Sequence, residues 1–391
     1  MELAASREHV AAEVVVVGAG PAGLAVGACL RRAGIDFVLL EKEQEVGATW
    51  RRHYDRLHLH TDRAHSSLPY LPLPRHYPRY PSRQQVVEYL DAYARAFSLV
   101  PRYGEEVTAA RRRDEGWDVE TRNALYRANA LVLASGYNAV PVRPRWPGMA
   151  RYRGAVLHSA EYRNGERFRG SDVLVVGFGN SGGEIAIDLV EHGARPSIAV
   201  RSPVNLLPRE LLGLPILTWA LALSRLPPRV ADALAAPVLR LRFGDLSRLG
   251  LRTSREGPLE SIRTRARIAL IDVGTVDLIR RRRVRVRPGL ERFTERGVVF
   301  EGGLEEAYDA VVLATGFRHE LARLLPEADG VLDADGRPVA SGCEAALRGL
   351  YLCGFSVPST GMLREIGLEA RRIAEAIAQR QRGFLGARRR A

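Results

Sequence analysis

Four unbroken apolar runs along the chain each end in glycine: EVVVVGAG (13–20), ALVLASG (130–136), DVLVVGFG (172–179) and DAVVLATG (309–316). Runs of this length without polar alternation predict strands covered on both faces, as in a parallel sheet flanked by helices. The first run predicts a strand over Val14–Val17 and a helix beginning near Pro21, where proline suits the first helical turn. A second strand, FVLLEK, ends at Glu41 and completes one βαβ unit. The same grammar returns in SDVLVVGFGNSGGEIAIDLVEHGARPSIAVRS, with a strand over Val173–Val176, a glycine turn, a helix and a strand ending near Arg201.

Between the two units lie a proline-rich loop (LPYLPLPRHYPRYPS), a helix over Gln84–Phe97 and a polar hairpin around Trp117. From Pro208 to Leu251 the pattern is helical and apolar; strand-like runs follow at VRVRP, GVVFEGG and DAVVLATG. A final strand, GLYLCGF, and the helical GLEARRIAEAIAQRQ come after the second unit is complete, so the C-terminal part is expected to return to the first.

Composition, 46% hydrophobic and 26% charged over 391 residues, is that of globular material large enough for two domains. The net charge of +13 raises a nucleic-acid reading, but Lys42 is the only lysine among 58 basic residues and the arginines are spread along the chain. That is compositional bias rather than a binding patch, so no nucleic-acid partner is expected. The densest cluster, Arg280–Arg287, alternates like an exposed strand edge. Cys29, Cys343 and Cys353 form no CxxC and no metal-ligand spacing, which argues against a zinc site or a redox disulfide. The acidic start lacks the basic and apolar regions of a secretory leader, and Leu211–Leu223 is too short to span a bilayer. A cytoplasmic location is expected.

The glycine motifs carry the chemistry. Gly18-x-Gly20-x-x-Gly23, with Pro21 and Ala22 opening the helix, allows a tight turn, close approach of a pyrophosphate and close helix packing. Glu41 lies 23 residues after Gly18, where a carboxylate accepts from ribose hydroxyls and repels a 2′-phosphate. This unit is expected to hold the adenosine end of FAD or NAD. In the second motif, Gly177-x-Gly179-Asn180-Ser181-Gly182, the following strand ends in Arg201-Ser202, which suits a 2′-phosphate and favours NADPH. Two dinucleotide sites in one chain imply hydride transfer from NADPH to a bound flavin.

At this point almost the whole chain resembles the flavin-containing monooxygenases, most closely the plant YUCCA-type branch. YRGAVLHSAEY resembles the family fingerprint FxGxxxHxxxY/F, with Tyr152 in place of phenylalanine, followed by Gly154, His158 and Tyr162. The likeness continues through YDRLHLH, GERFRG, GNSGGEIAIDLVEHGARPSIAVRS, LLPRE, GPLE, DVGTVDLI and LATGF.

The resemblance implies an α/β fold of two dinucleotide-binding, Rossmann-like domains, with an NADPH domain inserted into the FAD domain. The expected boundaries are 1–165 and 311–391 for FAD and 166–310 for NADPH, with a helical substrate cover at about 208–251. It further implies an NADPH-dependent FAD monooxygenase that forms a C4a-(hydro)peroxyflavin. That enzyme oxygenates nitrogen or sulfur in a small molecule, or oxidatively decarboxylates an aromatic 2-oxo acid such as indole-3-pyruvate. Baeyer-Villiger oxygenation and a non-oxygenating NADPH:flavin oxidoreductase stand as alternatives. The expected partners are the substrate and O₂, with a homodimer as the assembly, and no metal.

By family position, Lys42, Trp50, Val107, Ala134, Ser135, Gly136 and Gly354 join the first glycine motif and Glu41 at FAD, approached by a helix starting near Met362. Ala314, Thr315 and Gly316 join the second motif at NADP. His60 is the candidate catalytic residue, open between hydrogen bonding at the flavin and packing beneath the proline-rich loop. Asp272 reads as a turn or cap residue. His158 reads as a fixer of domain geometry through linker backbone, in a stretch taken as the crossing between the domains.

Overall fold

The computed structural model describes residues 8–266 and 268–388. Strand β1 (Glu8–Val17) lies at the centre of the first sheet, parallel to β2 (Phe37–Glu41) on one side and to β6 (Ala124–Leu133) on the other. Beyond β2 lies β3 (Arg102–Tyr103); beyond β6 lie β5 (Gly116–Thr121) and β4 (Val107–Arg113), both antiparallel. The polar hairpin expected around Trp117 is this meander, and the indole is fully enclosed, donating from Nε1 to the Arg348 carbonyl at 3.2 Å.

Strand β6 is shared. Leu125–Ala128 pair with β5, whereas Leu131–Leu133 pair in parallel with β21 (Leu350–Leu352), so the C-terminal part re-enters the first sheet. Helix α10 (Met362–Arg388) then packs against α1 (Pro21–Arg32), joined through Ala370, Ile373 and Ile377 in one apolar core. Helix α3 (Arg83–Ala96) starts one residue before its expected position because Ser82 and Gln85 form a reciprocal capping box.

The second sheet is wholly parallel, in the order β15 (Arg285–Arg287), β10 (Arg195–Ala199), β9 (Asp172–Val176), β19 (Ala310–Leu313) and β8 (Ala155–His158). Helix α4 (Asn180–Glu191) follows β9. Strand β15 is an edge strand, as the arginine-rich alternation predicts, and Arg287 pairs with Glu306 at 2.6 and 2.8 Å.

Two expectations about this region are corrected. The sheet reaches past 166–310 at both ends, because β8 and the whole of β19 hydrogen-bond within it. The fingerprint stretch is therefore not the crossing; the chain crosses earlier, where β7 (Val140–Pro141) pairs antiparallel with β20 (Phe317–Arg318) and the outward and return links run side by side.

The second correction concerns 208–251, which is not helical throughout. Strand β11 (Leu206–Pro208) pairs with β14 (Leu270–Asp272), and β12 (Glu210–Leu211) with β13 (Leu214–Pro215) form a short hairpin turning at Leu212–Gly213. Pro208, Gly213 and Pro215 stop helix formation there. Helices α5 (Ile216–Leu223) and α6 (Pro228–Phe243) come after the second proline.

A buried carboxylate also fastens the returning chain. Oε2 of Glu369, on α10, accepts from the Gly354 amide at 2.6 Å and from Oγ of Ser341 at 2.9 Å. Glu369→Ala leaves a buried amide without an acceptor, and should cost roughly 1–3 kcal/mol. That loss should appear as a lower urea midpoint with an unchanged m-value; an unchanged midpoint would show that water replaces the carboxylate.

Candidate active site

The two glycine turns have the same local geometry. Gly18 and Gly177 have φ of +103° and +109°, and a Cβ on Gly23 or Gly182 would sit 1.7 or 2.1 Å from the carbonyl oxygen of Gly18 or Gly177. Each turn thus demands glycine where the helix closes onto the strand. Gly20 and Gly179, at the helix N-caps, have nothing within 4 Å of a notional Cβ and no side-chain cap. Uncapped helix N-termini facing open space are anion sites.

A cavity of about 440 Å³ begins at the first of these turns. Gly18, Gly20, Pro21 and Ala22 line it, with Glu41 and Lys42 from the end of β2, Val107, and Ala134–Gly136 after β6. Gly23 does not; its work is helix packing. Trp50 reaches the wall from α2 (Ala48–Arg52), and Gly354 and Met362 reach it from the returning chain. Oγ of Ser135 is buried without a hydrogen-bond partner, and Gly136 faces open space. An orphaned hydroxyl, an open glycine cradle and a buried carboxylate fit the adenosine and pyrophosphate of a dinucleotide. Glu41 accepts from the Ala19 amide at 2.6 Å and the Glu43 amide at 3.0 Å, so its carboxylate is held against the glycine turn.

The opposite wall is apolar and comes from beyond the second unit's sheet. Leu207, Ile216, Leu217 and Ala220 line it together with Leu259 and Ile262 of α7 (Pro258–Arg265). Of the expected cover, α5 lines the cavity and α6 does not, while α7 lies outside the expected span. Leu259, Ile262 and His53 are among the lining residues that the sequence did not point to. Only the periodicity of α7 could have signalled the first two.

The second set of candidate residues is split. Asn180 reaches the main cavity, yet its Oδ1 accepts from the Ile271 amide at 2.8 Å. Gly179 lies on a smaller cleft with Phe178 and Asn205. Arg201 is exposed just past β10, its carbonyl held by the Arg252 guanidinium, and Ser202 follows it half-buried. Ser181 lies on the first turn of α4. Ala314, Thr315 and Gly316 form the link after β19: the Ala314 carbonyl underlies Gly177, Thr315 donates to the Val142 carbonyl at 2.6 Å, and the Gly316 carbonyl accepts from the Val142 amide at 2.9 Å.

The fingerprint residues cluster on the second unit. Tyr152 donates to the Tyr308 carbonyl at 2.7 Å, Tyr162 to Asp188 at 2.5 Å, and Gly154 fits under the Tyr152 ring where a Cβ would be 2.3 Å from its hydroxyl. His158 is fully buried; its Nδ1 accepts from the Ala160 amide at 3.1 Å, which leaves Nε2 to donate to the Gly316 carbonyl at 3.1 Å. Both ring nitrogens are spent on backbone, one of them on the return link. Asp272 is a turn residue: Oδ1 accepts from the Val276 amide at 3.1 Å in α8 (Thr275–Arg280), and burial raises its carboxyl above the usual range.

His60 lines the cavity, and its Nε2 lies 2.9 Å from Oε1 of the buried Glu184 on α4. Glu184 also accepts from Arg56 at 2.8 Å, and Arg56 forks onto Glu191 at 2.9 and 3.0 Å. Among the described residues no group of three or more His, Cys, Asp and Glu side chains could hold a metal ion. No helix there is long and apolar enough to cross a membrane. Burial lifts the Cys29 thiol to about 11 and raises Cys353 as well, so neither supplies a thiolate.

His53 stands edge-on to Trp50, with ring centres 5.9 Å apart. Burial, with Arg83 and Arg52 nearby, lowers it to about 4; burial also lowers His158 and His319. Between the ordinary histidine value near 6.5 and about 4, the unfolded chain takes up protons that the folded chain refuses. Stability should be complete above that window and fall as pH falls through it. The urea midpoint should drop between pH 7 and 5, and drop less in His53→Gln; parallel losses in both proteins would locate the effect elsewhere.

Comparison with known proteins agrees with this architecture. The family model described as pyridine nucleotide-disulphide oxidoreductase matches residues 15–206. Indole-3-pyruvate monooxygenase YUCCA1 of Oryza sativa subsp. japonica is 40% identical over 357 residues, 90% of this chain and 88% of that protein. YUCCA6 of Arabidopsis thaliana is 39% identical, over 93% and 89%. Among solved structures, a flavin-containing monooxygenase from Stenotrophomonas maltophilia superposes with a TM-score of 0.73 at 24% identity, covering 95% of this chain and 99% of that one. Cyclohexanone monooxygenase gives 0.74 at 20%, over 95% and 88%. These two share the fold of paired Rossmann-like domains. The chain belongs to the YUCCA branch of the flavin-containing monooxygenases and is an FAD- and NADPH-dependent enzyme that oxygenates a small molecule.

Proposed function

We propose that this enzyme oxidatively decarboxylates an aromatic 2-oxo acid of the indole-3-pyruvate type. The observation that carries the reading is the single cavity joining the first glycine turn and Trp50 to the apolar wall of Leu207, Ile216, Leu217, Leu259 and Ile262. A flat aromatic group fits such a wall, and the relatives named above act on indole-3-pyruvate. The balanced reaction is 2-oxo acid, O₂, NADPH and a proton giving the carboxylic acid one carbon shorter, CO₂, water and NADP⁺. The flavin, when bound, supplies the redox chemistry with NADPH and O₂.

The chain's own residues would then bind and orient. The first sheet with its C-terminal return is the FAD domain, held through Gly18, Gly20, Glu41, Ser135 and Gly136; the second sheet is the inserted NADPH domain. There Arg201 and Ser202 meet the 2′-phosphate, and Gly179 and Ser181 the pyrophosphate. His158 keeps the link at Gly316 in place. His60 lies where both units meet the cavity, and acts by hydrogen bonding within it. The apolar residues of α5 and α7 exclude water from the reacting atoms.

The enzyme works in the cytoplasm as a homodimer. The exposed stripe Val230, Leu234, Val238 and Leu241 on α6, spaced to share one helix face, supports a second copy as partner. One feature favours a second substrate reading. The described residues of α5 and α7 that line the cavity are all apolar, which suits an amine or thioether oxygenated at nitrogen or sulfur.

Product analysis under ¹⁸O₂ separates the two. Indole-3-pyruvate should yield indole-3-acetate carrying one ¹⁸O atom, with NADPH consumed in equal amount; a labelled N-oxide or sulfoxide with the 2-oxo acid untouched would favour the second reading. Arg201→Glu should raise KM for NADPH by roughly tenfold or more while changing kcat little, because the ion pair to the phosphate is lost in ground and transition state alike. An unchanged KM would remove Arg201 from the binding site.

A further inference from the structure

One face of α4 is polar and is met throughout by the first half of the chain. Ser181, Glu184, Asp188 and Glu191 follow at intervals of three or four residues, so they share that face. Ser181 meets the Tyr54 hydroxyl, Glu184 takes Arg56 and His60, Asp188 takes Tyr162, and Glu191 takes Arg56. Glu184 and Asp188 are almost fully enclosed. Of the four, Glu184 touches a residue of the main cavity wall, His60.

Arg56 does not need Glu184 for charge balance, since Nε and Nη2 already fork onto Glu191. What Glu184 alone supplies is an acceptor for the imidazole. A carboxylate accepts and does not donate, so the ring nitrogen 2.9 Å from it carries the proton. In the neutral ring Nδ1 then holds a lone pair, and no hydrogen bond joins it to the described residues.

We propose that Glu184 is a positioning residue for the oxygenation: it fixes His60 as the Nε2–H tautomer, so that Nδ1 meets the contents of the cavity as an acceptor. The inference rests on the reading of this cavity as the place where flavin and substrate meet. It assigns His60 a direction: the ring receives a hydrogen bond from an N–H or O–H group and does not give one. It also ties that direction to the NADPH-side helix, so seating of α4 and orientation of His60 change together.

The test uses the FAD-loaded enzyme with ¹⁵N-labelled histidine. The His60 resonances, identified by their loss in His60→Gln, should have the Nε2–H pattern in the unaltered protein and a mixed or Nδ1–H pattern in Glu184→Gln, whose amide can turn either group to the ring. An Nδ1–H pattern in the unaltered protein overturns the inference without any Glu184 variant. Hydrogen peroxide released per NADPH should rise at least about twofold in Glu184→Gln, the low end of coupling between residues in contact. That rise should exceed any fall in the rate of flavin reduction, and adding His60→Gln should raise it no further. A fully additive double variant, or a peroxide fraction unchanged in Glu184→Gln but raised in His60→Gln, overturns the inference and leaves the substrate assignment standing. Failure of the substrate assignment shows separately, as no labelled product from the unaltered enzyme.

Discussion

Desolvating a carboxylate costs several kcal/mol, so a buried one persists only where cations and donors surround it. The face of α4 holds two such groups, Glu184 and Asp188, and both are satisfied from residues outside the helix: Arg56 and His60 for the first, Tyr162 for the second. This constraint holds the segment 54–60 against the second unit. The end of this segment, Leu59 and His60, lines the cavity together with Thr61. The wall of the site therefore depends on a polar junction rather than on either sheet alone.

Each sheet solves the same steric problem in the same way. A helix can approach the preceding strand closely only where a side chain is missing, and a Cβ on Gly23 or Gly182 would lie less than 2.2 Å from the carbonyl oxygen beneath. The surrounding positions differ because the tasks differ. After β2 a buried Glu41 turns back onto the first turn, whereas after β10 the exposed Arg201 stands free of any such contact with the second. The links between the sheets, at Val140–Pro141 and Phe317–Arg318, pair as a small antiparallel ladder, and His158 fastens its imidazole to the return link at Gly316.

Much of this was legible in advance. Unbroken apolar runs ending in glycine can be covered on both faces only inside a parallel sheet, so the central strands, the first turns of α1 and α4 and the acidic Glu41 followed from the chain itself. Short-range chemistry was legible too: Asp272 caps a turn. A stretch without periodicity of its own does not show which sheet it joins. Tyr152–Tyr162 joins the second sheet because β19, some 150 residues later in the chain, offers it a free edge. In the region from Pro208 the apolar content resembles a helix, but the prolines and Gly213 impose short strands and a turn before α5 begins.

The sequence by itself determined the two glycine turns, the alternation of strand and helix, and the class of cofactor each turn can accept, because these depend on neighbours within a few residues. Tertiary structure alone decided which nitrogen of His60 is engaged and which helices wall the cavity. It also decided that Leu131–Leu133 carry the returning β21. Those outcomes come from groups more than a hundred residues apart brought to within hydrogen-bonding or van der Waals distance, and no local pattern encodes the pairing of buried charge with its distant partner.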